Sequence, residues 1–383
     1  MTKIPAAYIG REQAFIKHTI LSSYLMRLFM IIGRTEIVIN YIDCFAGPWC
    51  DESDELKNTS IGISLDLMES CVESLNKTFG RKIIFRALYI EKDPEAYKRL
   101  EKFTFEQSNK NIEVSCMEGD CTKLIPDIIK WQNSHFTFFF IDPKGWKNII
   151  GGVTLSPLLK LERTEFLINL MYDFANRFVN TECHEEDMVE LLGHVPVFTG
   201  KETAVERQQI ILSTYRENIN AVYKGRTAYV PIERPGKDRV LYFLIYLTRH
   251  PIGIAVFKEA AESMMYVQRV SHMETKLRKQ YMNSKTADMF THESTRVETC
   301  GDNRLAAREY LLNKLSKKPM LIDYDCWSRF LEESEYFPSD FQLAMKDLIK
   351  EGKVENIDAN INRRRSKFIK PNWPQKSERW IAI

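Results

Sequence analysis

The sequence predicts an α/β protein: a mostly parallel sheet with helices on both faces and an antiparallel last strand, followed by a small unit of helices and a ribbon. Short apolar runs alternate with amphipathic stretches between residues 38 and 171, the pattern of parallel strands joined by helices. Four of these runs end in or just before an acid, namely Asp43, Glu91, Asp120 and Asp142, and open sheets of this kind bind ligands at the carboxyl ends of their strands. Two later runs, 227–233 and 239–248, flank the turn Arg234-Pro235-Gly236-Lys237-Asp238, which suits a hairpin and therefore an antiparallel end to the sheet.

The elements follow in order. Phe15, Ile16, Ile20, Tyr24, Leu25, Leu28 and Phe29 recur at helical spacing and predict a first helix over 12–32. Strands are expected at 38–42, 83–90, 112–117, 136–141 and 166–171, with helices at 61–78, 94–107, 124–132 and 155–161. A helix over 204–223 leads into the hairpin. The chain from 268 to 303 is polar, with no long apolar period, and reads as a linker or solvated helices. Beyond it, helices at 304–315, 324–333 and 338–351, with a ribbon of 353–358 and 365–369 around a turn at 360–362, predict a winged helix. The expected division is a first domain over 1–270, a linker over 271–303, a winged-helix-like domain over 304–370 and a tail over 371–383.

Composition sets the broad class. With 44% hydrophobic and 28% charged residues, the 383-residue chain has enough apolar material for real cores and enough charge for solubility. A formal charge of +2 means that any nucleic-acid-binding surface must be local. The N-terminus lacks the apolar segment of a secretory signal, and apolar runs such as 240–247 fall far short of the ~20 residues that cross a bilayer, so neither secretion nor a membrane is expected. The eight cysteines are scattered, with no CxxC pair, which predicts reduced thiols in a cytoplasmic protein and no zinc or iron–sulfur site.

The strongest chemical signal is Tyr41-Ile42-Asp43-Cys44-Phe45-Ala46-Gly47-Pro48, a buried strand running into a tight loop whose glycine lets backbone approach a ligand. Asp43, Phe45 and Gly47 are expected around the methionine part of S-adenosylmethionine (SAM), with Asp43 on its ammonium. Glu91 ends the second strand, where a ribose needs a hydroxyl acceptor. Asp120 follows the third, where a side chain meets the adenine amino group. Asp142-Pro143-Lys144-Gly145-Trp146 follows the fourth, beside the methyl group. Any one of these acids is equally well a turn former or helix cap. Four in order on successive strands are not.

These pieces resemble the three-Cys-motif partner family, a methyltransferase-like domain with variable C-terminal parts. The similarity is carried by Lys17-His18 in the first helix, the 43–48 loop, Ile141-Asp142-Pro143 with Gly145, the segment 166–169, and Tyr242-Phe243-Leu244 with Thr248, His250, Gly253 and Lys258, from about residue 11 to 265. The resemblance implies SAM as cofactor, a neighbouring three-cysteine protein as partner, and Lys17 and His18 at the mouth of the site. The chain departs from the family at Trp49, where a second glycine is expected after Gly-Pro; the indole would fill part of the pocket or act as a lid.

Methyl transfer to an amine depends on aligning its lone pair with the sulfonium methyl. Asp142 and the Pro143 carbonyl resemble the Asp-Pro-Pro-aromatic site of amino-methyltransferases, with Lys144 and Gly145 replacing the second proline and the aromatic residue, and Trp146 near enough to stack on a base. No Pro-Cys pair exists for cytosine C5 chemistry. Tyr172 and Asp173 follow the fifth strand on the substrate side. In the C-terminal unit, Arg363, Arg364, Arg365 and Lys367 form a cationic cluster suited to DNA or RNA phosphates, whereas the helix over 339–351 mixes Lys346 and Lys350 with Asp340, Asp347 and Glu351. The expectation is therefore a SAM-dependent methyltransferase acting on an amino group of a nucleic-acid base or a partner-delivered substrate. The alternative is a SAM- or nucleic-acid-binding subunit without chemistry.

Overall fold

Residues 4–5, 8–47, 56–237, 239–284, 303–358, 369–371 and 377–383 are described by the computed structural model, and they fall into two compact units, 3–249 and 250–383. In the first unit, α1 (Glu12–Ile32) precedes β1 (Val38–Asp43), α2 (Ser60–Phe79), β2 (Ile84–Glu91), α3 (Pro94–Gln107), β3 (Ile112–Glu118), α4 (Ile125–Gln132), β4 (Phe136–Ile141), α5 (Gly152–Leu159) and β5 (Thr164–Leu170). Two short helices, α6 (Tyr172–Phe178) and α7 (Glu185–Leu192), then α8 (Ala204–Tyr223), lead to the hairpin β6 (Arg226–Glu233) and β7 (Val240–Thr248).

The seven strands lie in the order β3-β2-β1-β4-β5-β7-β6, with β1 to β5 parallel and β7 antiparallel to both neighbours. This is the sheet of the class I SAM-dependent methyltransferases, Rossmann-like with its antiparallel strand inserted next to β5. The central strands carry the core: every residue of β4 and β5 is buried, as is every residue of β1 after Val38. Strands covered on both faces by helices read as continuous apolar runs, which is why they are visible in sequence.

Local chemistry fixes the helix starts. Thr59 caps α2 by accepting from the Gly62 N–H at 3.3 Å, Asp93 caps α3 by accepting from Ala96 at 2.8 Å ahead of Pro94, and Thr203 with Glu206 closes a capping box on α8. Helix α1 is long and apolar enough to cross a membrane by length and composition, contrary to the expectation that no segment is. Its apolar face is occupied, however: Ile20, Leu21, Tyr24, Leu25 and Phe29 are buried, and Phe29 meets Phe85 of β2 at 4.7 Å.

Helices α6 and α7 are not among the expected elements; two turns each are too short to establish a period. The boundary expected at residue 270 falls inside α9 (Pro251–Ser284), which belongs to the second unit. Gln268, Ser271 and Thr275 are buried along it, so a polar stretch that reads as linker is packed.

The rest of the second unit runs α10 (Arg304–Lys314), β8 (Met320–Ile322), α11 (Tyr324–Glu333), α12 (Pro338–Lys350), β9 (Val354–Asn356) and β10 (Glu378–Ala382). The three helices match the expected ones closely. The ribbon does not: β9 pairs with β10, drawn from the expected tail, and β10 lies centrally in the order β8-β10-β9. Alternation in Glu378-Arg379-Trp380-Ile381-Ala382 is too brief to register against its polar approach, yet Trp380 is fully buried. The expected second ribbon strand, 365–369, lies outside the described residues except for Ile369. Replacing Trp380 by alanine is expected to cost the second unit about 3–5 kcal/mol, the usual penalty for emptying a buried aromatic site. Urea unfolding of the full chain checks it, and a wild-type profile would return the segment to the status of a tail.

Candidate functional site

All four strand-end acids lie along the carboxyl edge of the sheet, and each is held by its own surroundings. Asp43 closes β1 and is fully buried; its Oδ1 accepts from the Phe45 N–H at 3.1 Å and its Oδ2 from the Ser60 hydroxyl at 2.6 Å. The loop after it is pinned to neighbouring strands, with Cys44 N–H donating to the Phe140 carbonyl at 3.0 Å and Ala46 N–H to that of Ile90 at 2.8 Å. Gly62 lets the first turn of α2 lie close against the chain before it, since a Cβ there would stand 2.4 Å from the Leu56 carbonyl oxygen. The sequence places Asp43 on the SAM ammonium. With both oxygens engaged and no exposed surface, it shapes the loop instead, while Phe45 and Gly47 present that loop's backbone.

Glu91 and Asp120 differ in this respect. The Oε1 of Glu91 accepts from the Asp93 N–H at 2.7 Å, and the Oδ1 of Asp120 accepts from the Thr122 N–H at 2.9 Å and hydroxyl at 2.8 Å. The second oxygen of each carboxylate accepts no hydrogen bond among the described residues, so each keeps an acceptor for a ligand. Between them the Gly119 N–H donates to the Glu91 carbonyl at 2.9 Å, in a conformation (φ 142°) that needs glycine. This donor and acceptor set suits the ribose hydroxyls and adenine amino group of SAM. Cys44 and Cys121 lie beneath it with their thiols in hydrogen-bond contact, an arrangement that burial reinforces in raising the Cys44 pKa.

At the end of β4, Asp142 forms an ion pair with Lys17 through Oδ2 and accepts from Asn169 Nδ2 at 2.6 Å through Oδ1. Lys17 therefore reaches Asp142 from α1. His18 turns to Tyr8, with Nδ1 and the phenol 3.0 Å apart. Burial, then the adjacent Lys17 charge, lowers its pKa to about 3, which keeps the imidazole neutral. Asn169 enters the sequence only as the end of the 166–169 family match, with no part in the expected site. The signal is there: it is a buried amide within the apolar run Phe166-Leu167-Ile168-Asn169-Leu170, and its Oδ1 is buried with no hydrogen-bond partner.

Pro143 is buried and Lys144 exposed at the edge. Trp146 is not placed to stack on a base: it is 5% exposed and packs on Phe178 (ring centroids 6.2 Å apart) and His184 (6.1 Å). An indole beside an apolar strand end gains more from core burial than from the crevice. Trp49 lies outside the described residues, as does the cluster Arg363, Arg364, Arg365 and Lys367. In α12 the acids that cloud its charge pattern are engaged internally. Asp340 accepts from the Phe337 N–H at 2.8 Å, Asp347 pairs with Arg304, and Glu351 pairs with Arg308. No cluster of metal-ligating side chains occurs among the described residues.

Burial raises the Asp43 pKa to about 7, with the nearby Asp142 charge adding to the rise and the Ser60 and Phe45 hydrogen bonds opposing it. A carboxyl whose folded pKa exceeds its unfolded value binds more protons in the folded state between the two, so its stabilising contribution falls as pH rises from about 4 through about 7. Asp43→Asn should gain in melting temperature relative to the wild type as pH rises from about 4 to about 7 and hold that gain at higher pH. Melting curves across that range test this, and a difference that does not vary with pH contradicts a protonated Asp43.

No family model matches the chain, and no curated protein matches it by sequence. Among solved structures, a Legionella pneumophila protein of the DUF519 family model is similar at 13% identity and a TM-score of 0.39, covering 67% of this chain and 92% of its own. Human methyltransferase-like protein 13, in complex with S-adenosylhomocysteine, is similar at 12% identity and a TM-score of 0.32, with coverages of 67% and 92%. A Plasmodium falciparum dimethyladenosine transferase is similar at 11% identity and a TM-score of 0.27, with coverages of 86% and 96%. Similarity at this level bears on neither activity nor substrate; the strand order carries the fold assignment.

Proposed function

We propose that the protein binds SAM at the carboxyl edge of its first unit and transfers the methyl group to an amino nitrogen. The observation that carries this reading is the set of acids at successive strand ends of a methyltransferase sheet, with the second oxygens of Glu91 and Asp120 available. Glu91 holds the ribose hydroxyls and Asp120 the adenine amino group, while the 43–47 loop lies against the methionine part. SAM supplies an electrophilic methyl on a sulfonium. Two of the three acceptors Asp142, the Pro143 carbonyl and Asn169 Oδ1 take the two N–H hydrogens of the acceptor amine and direct its lone pair, so catalysis rests on positioning. The orphan Asn169 oxygen fits this role, because an unpaired buried acceptor costs about 1–3 kcal/mol until a donor arrives. The second unit after α9, with its order helix–strand–helix–helix–strand–strand, is read as a winged helix that docks nucleic acid or a partner such as the three-cysteine protein implied by the resemblance.

A second reading, a SAM-binding subunit without chemistry, is favoured by one observation: Lys17 and Asn169 already occupy both oxygens of Asp142. Lys17 must give way before an amine gains that contact.

Glu91→Ala should weaken S-adenosylhomocysteine binding by about 10- to 100-fold, the worth of a charge-assisted hydrogen bond of about 1.5–3 kcal/mol. Calorimetry measures it, and unchanged affinity removes Glu91 from the site. Methyl-labelled SAM incubated with cellular nucleic acid should give label transfer by the wild type and none by Asp142→Ala. Binding without transfer by either protein would establish the second reading.

A further inference from the structure

Beyond β5 the edge of the sheet carries cations that neither the cofactor site nor Asp142 uses. Asp173, in the first turn of α6, is buried, and three guanidinium groups converge on it: Arg239 in a direct ion pair, Arg177 at 2.8 Å and Arg234 at 3.8 Å. One carboxylate neutralises one of them. A fourth cation, Arg207, is held among the described residues only by a neutral one, with Nε donating to Asn176 Oδ1 at 2.6 Å and Nη2 to the Asn176 carbonyl at 3.2 Å. Both Arg207 and Arg239 lie within electrostatic reach of Tyr172, so they belong to one cluster. Lys237 stands exposed in the hairpin turn.

Exposure separates a structural cluster from a binding one. The side chains of Arg177, Arg234 and Arg239 are 53%, 43% and 55% exposed, against 6% for Asp173. Each guanidinium has five N–H donors and gives few of them to Asp173, so most face water. Aromatic rings stand among them: Arg177 lies over Phe174 at 5.0 Å and Arg207 over Phe198 at 4.2 Å, both rings being half-buried. An exposed guanidinium plane, held over a ring beneath it, both pairs with a phosphate and stacks on a base, which is what single-stranded nucleic acid requires.

The location is as informative as the composition. Because β7 runs antiparallel to β5, with Phe243 opposite Leu170, the turn before Val240 projects past the carboxyl end of β5. Asn169, which holds Asp142, is the penultimate residue of that same strand. The cations thus lie on the acceptor side of Asp142, away from the β1–β3 side where the cofactor acids are.

We propose that Arg177, Arg207, Arg234, Lys237 and Arg239 form the docking rim for the phosphate backbone of a single-stranded nucleic acid whose base is presented to Asp142. The presentation rests on the methyltransferase reading; the rim itself does not. A single strand fits better than a duplex, since a base amino group reaches an edge site only when free of its stack and pair.

The test uses the full chain, a fluorescent single-stranded oligonucleotide of mixed sequence, its duplex, and binding measured in rising salt. The variant Arg177→Gln/Arg234→Gln leaves Arg239 on Asp173, so no buried carboxylate is stranded. It should bind the single strand several-fold more weakly whatever the sequence, and its log–log salt slope should fall by about 1.4, or about 0.7 for each phosphate left without its cation. If its melting temperature shows misfolding, Lys237→Gln at the exposed turn should lower the slope by about 0.7. A wild type without salt-dependent binding, a variant with the wild-type slope, or tighter binding to the duplex overturns the proposal. Calorimetry with S-adenosylhomocysteine separates the two failures: oligonucleotide binding without cofactor binding defeats the methyltransferase reading alone, and the converse defeats the rim alone.

Discussion

A sheet covered on both faces leaves its central strands no place for unpaired charges, and the rest of the first unit follows from that constraint. Burying a charge without partners costs several kcal/mol, so the acids of β1 and β4 stand where those strands end. The exception shows the rule. Glu165 lies buried within β5, and it accepts hydrogen bonds from three hydroxyls, those of Tyr24 at 2.7 Å and of Tyr246 and Thr248 at 2.8 Å. No cation is among those partners, and burial raises its pKa. Asp43, at the end of β1, meets the same demand with one hydroxyl and one backbone N–H.

The acids along the edge consequently divide by what their surroundings leave unsatisfied. Asp43 has both oxygens engaged in folding its loop; Glu91 and Asp120 have one each; Asp142 is held by two side chains from other elements, Lys17 of α1 and Asn169 of β5. A loop-shaping acid, two acids with capacity for a ligand and one acid on an exchangeable ammonium are different devices, although all four look alike as strand-end carboxylates. Lys17 couples the position of α1 to the availability of Asp142.

The sheet is legible in the sequence because strands buried on both faces are mostly apolar, and because β6 and β7 flank a turn that cannot be a crossover. Helices α6 and α7 and strand β10 are not, since two turns of helix or five residues of strand carry too little pattern against their surroundings. The site is legible as a row of acids and not as an arrangement. Sequence marks that an acid ends a strand; which of its oxygens remains available depends on Ser60, Asp93 and Thr122. The arginines around Asp173 come from α6 and from both ends of the hairpin turn, and Arg207 comes from α8. Only the antiparallel return of β7 brings the turn to the edge that holds Asp142.

Every role proposed for the first unit depends on SAM binding at the carboxyl edge of β1, β2 and β3. Ultraviolet cross-linking of methyl-labelled SAM to the full chain, followed by peptide mapping, tests it most directly. Label is expected in peptides containing residues 43–47, 89–93 or 118–122, removed when S-adenosylhomocysteine is added in excess. Label confined to residues beyond 249, or no label that S-adenosylhomocysteine displaces, would contradict it.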